Sequence, residues 1–347
     1  MLPPPMPHVV PRRTPHEHPQ ETRAWHAGPG VQRCGAMNPS PSTVPPFHPR
    51  ARVALETTLL LHGVPRQDAR ALALKLNHAI EAQGATPVTV GLLSGRTVVG
   101  LSDAQLEELL AAPPERVRKV NTSNLGIAIA RKQHGATTVS STMELASGAG
   151  VSVFATGGIG GVHFPEASAA SSLAAMDVSS DLHAFTRFPV AVIASGVKSI
   201  LDVAGTREVL ETLGVPVVGF RADDFPAFYL RKSDGPAVAP LDARFDDVAE
   251  LAAYVRHELA RTRRGVLICN PIPPEHELRV ADWQKWLGKA RDLVAASGAQ
   301  GRDVTPKLLG ALHSVSGGAT LRANIALVES NAVLAGQLAR AMVEEPR

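Results

Sequence analysis

Lys198 is the residue of this chain best placed for covalent chemistry, because residues 196–202 deliver it straight from the end of the apolar run 190–195. Burial disfavours an ammonium ion and a second cation nearby pushes the same way, so an amine held at the end of a core strand can act as a nucleophile toward a carbonyl. The alternative is a solvated lysine at a helix start. Glu56 closes the apolar run 53–55 and precedes Thr57 and Thr58, which puts a carboxyl group at the carboxyl edge of a sheet, where it could move a proton. A surface salt bridge is its competing use, since glutamates are seldom buried without a partner. Asp177, Ser179 and Asp181 alternate over 177–182 and could offer oxygen ligands to a hard divalent ion. Ser179 or Ser180 could equally cap a helix opening at Asp181, and both uses can hold together.

Between these groups lies the cluster Thr156, Gly157, Gly158, Ile159, Gly160, Gly161, Val162, His163, which follows a strand, the place where open α/β sheets bind ligands. It is not a dinucleotide fingerprint: counted from Gly158, His163 stands where the third glycine belongs, and no helix pattern with an acidic ribose ligand follows. It also lacks the lysine of a phosphate-binding P-loop. Four glycines in five positions indicate backbone brought close to a ligand, while one or two of them could simply serve a tight turn.

The elements that must position these residues alternate. Residues 53–55, 151–155, 190–195, 215–219 and 266–270 read as strands, each followed by polar or glycine-rich turns. Ala69, Leu72, Ala73, Leu76 and Ile80 keep helical spacing and predict a helix over 66–83. Residues 87–93 and 96–101 flank Ser94 and Gly95 as a hairpin, and Ser102 with Gln105 forms a capping box opening a helix through Leu110. Long helices are expected over 246–262, 280–297 and 322–342. The alternation predicts a three-layer α/β/α arrangement.

Composition narrows the function. The chain has 347 residues, 44% hydrophobic and 19% charged, enough for a sizeable core. Net charge is +3 and the basic residues are scattered, apart from Arg261, Arg263 and Arg264, so no basic stripe for duplex nucleic acid is present. Aromatics at 4% argue against a base-stacking platform for single strands. Cys34 and Cys269 make neither a disulfide framework nor a zinc set, and no run reaches the ~18 apolar residues of a membrane helix, so a reducing cytoplasm is the expected home. Residues 1–48, rich in proline, histidine and arginine and without an apolar signal core, are expected to be a disordered extension, with Met37 an alternative start and His16 and His18 incidental. Residues 49–347 then form one domain, with no internal repeat.

Five stretches in one order carry a family resemblance: Val-Ala-Leu-Glu-Thr-Thr at 53–58, Gly-Ala-Thr-Thr-Val at 135–139, Phe-Ala-Thr-Gly-Gly-Ile-Gly-Gly-Val-His at 154–163, Gly-Val-Lys-Ser-Ile-Leu-Asp at 196–202 and Asn-Pro-Ile-Pro at 270–273. Over about 52–342 the chain resembles the pseudouridine-5′-phosphate glycosidases, a family that includes indigoidine-cluster proteins and C-glycosynthases of antibiotic pathways. The resemblance implies a mixed central sheet and a homotrimer with one site per subunit. It implies that Lys198 forms a Schiff base with C1 of ring-opened ribose 5-phosphate and that Glu56 protonates the base carbon as the C–C bond breaks. It further implies that Asp177 binds a divalent metal, usually manganese, and that Lys119, Val139, His163, Ser179, Ser180, Asp181 and Asn270 contact the substrate. This chemistry is sound from below, since a carbon leaving group is poor for simple oxocarbenium departure and an iminium is the better electron sink.

Two stretches depart from the family. Residues 121–125 read Asn-Thr-Ser-Asn-Leu where the family usually has Ser-Arg-Arg-Asp-Leu, which removes two guanidinium groups and a carboxylate. Residues 164–167 read Phe-Pro-Glu-Ala in place of Arg-Gly-Ala-Glu, and the spacer to Asp177 is longer and rich in serine and alanine. Both changes suit an acceptor bulkier or less polar than uracil. The expectation is therefore an enzyme that breaks or forms a C–C glycosidic bond between ribose 5-phosphate and an aromatic carbon. A C-glycosynthase acting on an aromatic natural product is the alternative, and a sugar-phosphate-binding protein without catalysis is the reading from another class.

Overall fold

Runs of valine, isoleucine and alanine with no charged residue make strands that can be buried on both faces, and four of them form the centre of this protein. In the computed structural model, which describes residues 51–164, 177–233, 239–298 and 304–344, the strands are β1 (Arg52–Glu56), β2 (Thr86–Leu93), β3 (Arg96–Val99), β4 (Val117–Val120), β5 (His134–Thr137), β6 (Val153–Ala155), β7 (Ala191–Ala194), β8 (Val217–Phe220), β9 (Ala243–Phe245) and β10 (Val266–Cys269). They form one sheet in the order β4-β5-β2-β1-β6-β7-β10-β8-β9, with β3 paired to β2. From β2 through β9 along that order the pairs are parallel, whereas β3 and β5 run antiparallel to β2. The sheet is therefore mixed, as expected. Every residue of β6, β7, β8 and β10 is buried, which requires helices on both faces. The expected tail, residues 1–48, lies outside the described residues; those described fall within one compact unit, Ser42–Arg347.

Local chemistry fixes several boundaries. Ser94 and Gly95 both take positive φ and turn the β2–β3 hairpin. Ser102 and Gln105 form the reciprocal capping box that opens helix Asp103–Ala111. Helix Arg66–Glu81 buries the five residues whose spacing predicts it. The 25-residue helix Ala319–Val343 packs on Arg66–Glu81 and on Val248–Thr262 and crosses β1, β6 and β7. No helix among the described residues is long and apolar enough to cross a membrane.

Strands β4, β5 and β9 and helices Leu125–Ala130, Val139–Gly148, Val203–Thr212 and Val304–Val315 go beyond the elements that periodicity reveals. Val-Arg-Lys-Val and His-Gly-Ala-Thr are short and carry charges or small residues, so their strand character comes from pairing with each other in register and not from alternation. Residues 196–202 form no helix start. They make turns and bridges, and helix Val203–Thr212 begins only after Asp202, whose carboxylate accepts the Gly205 N–H at 2.9 Å.

Candidate active site

Strand register brings the chemistry to one row. Glu56, the last residue of β1, pairs with Val90; the next β2 residue, Gly91, pairs with Ala136, and Ala136 with Lys119 on β4. On the other side Leu55 pairs with Ala155 and Ala155 with Ile193, so the turns after β6 and β7 emerge beside Glu56. Those two turns are laced together: Ile159 N–H donates to Gly196 O at 3.0 Å and Lys198 N–H to Ile159 O at 3.2 Å. Gly196 makes the lacing possible, with φ +73° and a position where a β-carbon would meet Pro226 O at 1.8 Å.

A single side chain fastens the same turns from above. Asn331, fully buried on Ala319–Val343, donates its amide to Thr156 O at 2.8 Å and bonds Ser195 Oγ at 3.2 Å. Its oxygen accepts from Asn270 Nδ2 at 3.0 Å. Asp181 does similar work from below, accepting the N–H of Ser140 at 3.0 Å and of Gly160 at 2.9 Å.

The result is an open cavity, about 480 Å³ with the solvent at its mouth included, into which Glu56, Lys119 and Lys198 converge. Glu56 is buried and accepts a short hydrogen bond from Thr156 Oγ1. Burial lifts its carboxyl to about 7, although Lys198, Thr156 and Lys119 all pull it down. A carboxyl near neutrality beside two half-buried lysines can act as acid in one direction and base in the other. The cavity also takes in His62, held below the ordinary imidazole range by burial first and then by Lys119 and Arg66. Thr58, Phe228 and Asn324 are among the other lining residues that sequence reasoning missed. Asn324 left a signal, since it stands seven residues before Asn331 on the mostly apolar buried face of a long helix; Phe228 left one too, among the three aromatics of 225–229 in a chain poor in aromatics.

The other residues expected at the site lie around the cavity and do not line it. Asn270 commits its side-chain amide to Ser330 and Asn331, and Val139 is buried at the start of helix Val139–Gly148. Ser179 caps helix Ser180–Ala184, and Ser180 Oγ meets Ser140 Oγ at 3.1 Å. His163 Nε2 and Asp177 Oδ2 stand 3.8 Å apart near the surface. Among the described residues no three histidine, cysteine or carboxylate side chains gather as a metal cluster. Asp177 is exposed and offers a single carboxylate, so a hard divalent cation held there would keep most of its waters. Of the two stretches that depart from the family, 121–125 forms an uncharged turn in which Asn121 N–H bonds Asn124 Oδ1 at 2.9 Å and Asn124 Nδ2 bonds Lys119 O at 3.3 Å. The other begins at Phe164, which is exposed, and its remainder, residues 165–176, lies outside the described residues.

The family described as indigoidine synthase A like protein matches residues 48–341. A pseudouridine-5′-phosphate glycosidase of Symbiobacterium thermophilum is 43% identical over 295 residues, covering 84% of this chain and 93% of that protein. One from Paracoccus denitrificans is 43% identical over 292 residues, with 84% and 92% covered. Among solved structures, an indigoidine synthase A-like protein of Thermotoga maritima superposes with a TM-score of 0.75 at 34% identity, over 85% of this chain and 94% of its own. The prealnumycin C-glycosynthase AlnA, solved with ribulose 5-phosphate, gives 0.74 at 33% identity, over 85% and 92%.

Proposed function

Because the chain belongs to the indigoidine synthase A-like protein family, we propose that it breaks or forms the C–C glycosidic bond between ribose 5-phosphate and an aromatic carbon, as pseudouridine-5′-phosphate glycosidases do at uracil C5. The observation that carries this reading is the convergence of Lys198 and a near-neutral Glu56 on one cavity. In the cleavage direction the Lys198 nitrogen bonds to C1 as the C1–O4 bond of the sugar ring breaks, and the proton the amine gives up ends on O4. Its lone pair then forms the C=N bond while the C1–C5 electron pair passes to the uracil carbon, which takes a proton from Glu56. Water hydrolyses the imine, freeing ribose 5-phosphate and the lysine; synthesis runs the same steps backward. Lys119 supplies positive charge toward an anionic oxygen. A divalent ion, manganese as the family resemblance implies, would be held by Asp177 and would order hydroxyls or water.

Borohydride reduction in the presence of ribose 5-phosphate tests the anchor. The expected result is a covalent adduct one reduced pentose phosphate heavier than the chain, abolished in Lys198→Ala; an adduct that survives this substitution, or none in the native enzyme, overturns the mechanism.

A second reading, a C-glycosynthase that attaches the pentose phosphate to an aromatic natural product in antibiotic biosynthesis, is favoured by the uncharged turn at 121–125 and by the likeness to AlnA. Uracil release from pseudouridine 5′-phosphate distinguishes the two. A cytoplasmic homotrimer with one site per subunit completes the proposal.

A further inference from the structure

The strands that place Glu56 and Lys119 end against each other. β1 pairs with Val90 and the residues before it, β5 pairs with Gly91 and Leu92, and β3 pairs with Val90 through Leu93. A strand has two edges. Because β3 shares Val90 with β1, and Gly91 and Leu92 with β5, it must hold one edge of β2 while β1 and β5 share the other. β1 runs parallel to β2 and β5 antiparallel, so the two approach head to head and stop where Val90 meets Gly91. Glu56 is the last residue of β1, and Ala136, the last but one of β5, pairs with Lys119.

Strands that meet end to end have no ladder between them, and here threonine hydroxyls join them instead. Thr57, which opens helix Thr57–His62, and Thr137, which closes β5, both donate to Val90 O, at 2.9 and 2.8 Å. Thr57 Oγ1 in turn accepts the Thr137 N–H at 2.9 Å, and Thr137 Oγ1 accepts from Thr142 Oγ1 at 2.9 Å. Thr58 adds a donation to Ala136 O at 3.2 Å. Thr57, Thr137 and Thr142 are fully buried, and each of their hydroxyl protons has an acceptor, the condition under which a buried polar network rigidifies what it joins. None of these bonds reaches the turns after β6 and β7 that carry Lys198.

We propose that Thr57 is a positioning residue: by tying the facing ends of β1 and β5 it fixes how far Glu56 stands from Lys119, and with that the charge Glu56 meets as it moves its proton. The proposal rests on the roles given above to Glu56 and Lys119, and it separates their placement from that of Lys198.

A double-mutant cycle on the full-length enzyme tests it. Thr57→Val keeps the shape of the side chain without its hydroxyl, Thr57→Ser keeps the hydroxyl, and both are made in the native chain and in Lys119→Met. For uracil release from pseudouridine 5′-phosphate, Thr57→Val is expected to lower kcat roughly tenfold or more with KM within about threefold, and Thr57→Ser to stay within about threefold of native. In Lys119→Met the valine is expected to cost less than about threefold, because the spacing it disturbs no longer matters. An equal loss in both backgrounds, a serine that does not rescue, or lowered thermal stability with kcat unchanged overturns the proposal.

The Glu56 carboxyl gives a second readout that needs no substrate. Burial raises it, and Lys198, Thr156, Asp181 and Lys119 act on it in that order. Its midpoint, followed by carbon-13 NMR and assigned by its loss in Glu56→Gln, is expected to respond to Thr57→Val by ~0.2 pH unit or more beyond its response in Lys119→Met. Equal responses overturn the proposal. Failure of the native enzyme to trap ribose 5-phosphate overturns instead the function on which it rests, and the carboxyl still decides the role of Thr57. If Thr57→Val does not fold, Thr137→Val, which removes the second hydroxyl and keeps the Thr137 N–H, goes through the same cycle.

Discussion

At the scale of the residue, Glu56 ties catalysis to stability. With its carboxyl near 7 in the folded protein and 4.5 as the reference, it is neutral in both states below pH 4.5 and has no effect there. As pH rises from 4.5 to 7 the unfolded chain ionises first, so stability falls, by about 3 kcal/mol in all, and above 7 the loss is complete. Glu56→Gln is therefore expected to be more stable than the native enzyme at pH 8 and nearly equal to it at pH 4.5, as urea unfolding at the two pH values would show. The same substitution should abolish turnover. In the native enzyme kcat/KM for cleavage should fall as pH rises through about 7, because the acid must carry its proton; a cleavage profile that instead rises through 7 would remove Glu56 from that role. Glu56 and Lys198 are legible in the sequence because each ends an apolar run, and Lys119 through its place in the family pattern. His62 leaves no mark, and Asn324 and Phe228 leave only partial ones, because what makes all three site residues is their approach to segments far away in the chain.

At the scale of the element, each boundary that local chemistry dictates is readable: the hairpin at Ser94 and Gly95, the capping box at Ser102, the apolar face of Arg66–Glu81. Strands β4 and β5 are not, although one carries Lys119, because four residues with charges or small side chains hold no alternation and become strands only through each other. The turn after β7 lies between these cases. Its glycine is visible in the sequence, but the obstacle that demands it, Pro226 O, is thirty residues away. Gly196→Ala adds both a left-handed alanine and a backbone collision, and is expected to cost on the order of 2–3 kcal/mol and to reduce borohydride trapping by at least tenfold. Differential calorimetry alongside the trapping assay checks this; an alanine variant with native stability would show that the turn can relax.

At the scale of the whole molecule, sheet order and the C-terminal helix do what no single element can. Lys119, Glu56 and Lys198 come from β4, β1 and the turn after β7, which sit at the first, fourth and sixth places of the main strand order. Asn331 then joins the ends of β6, β7 and β10 in one set of hydrogen bonds. Asn331→Ala strands the buried Thr156 carbonyl and is expected to cost about 1–3 kcal/mol while lowering turnover through the displaced turns. Asn331→Asp keeps an acceptor for Asn270 but not the donor for Thr156, and should restore little.

Asn331 follows in the chain every strand whose turn it fastens, so the clamp on those turns cannot form until helix Ala319–Val343 has been made. During synthesis β1, β6 and β7 leave the ribosome before the helix that clamps them, so a growing chain carries Lys198 before the turn that holds it is fastened. Here the strands come first and the side chain that joins their turns comes after them.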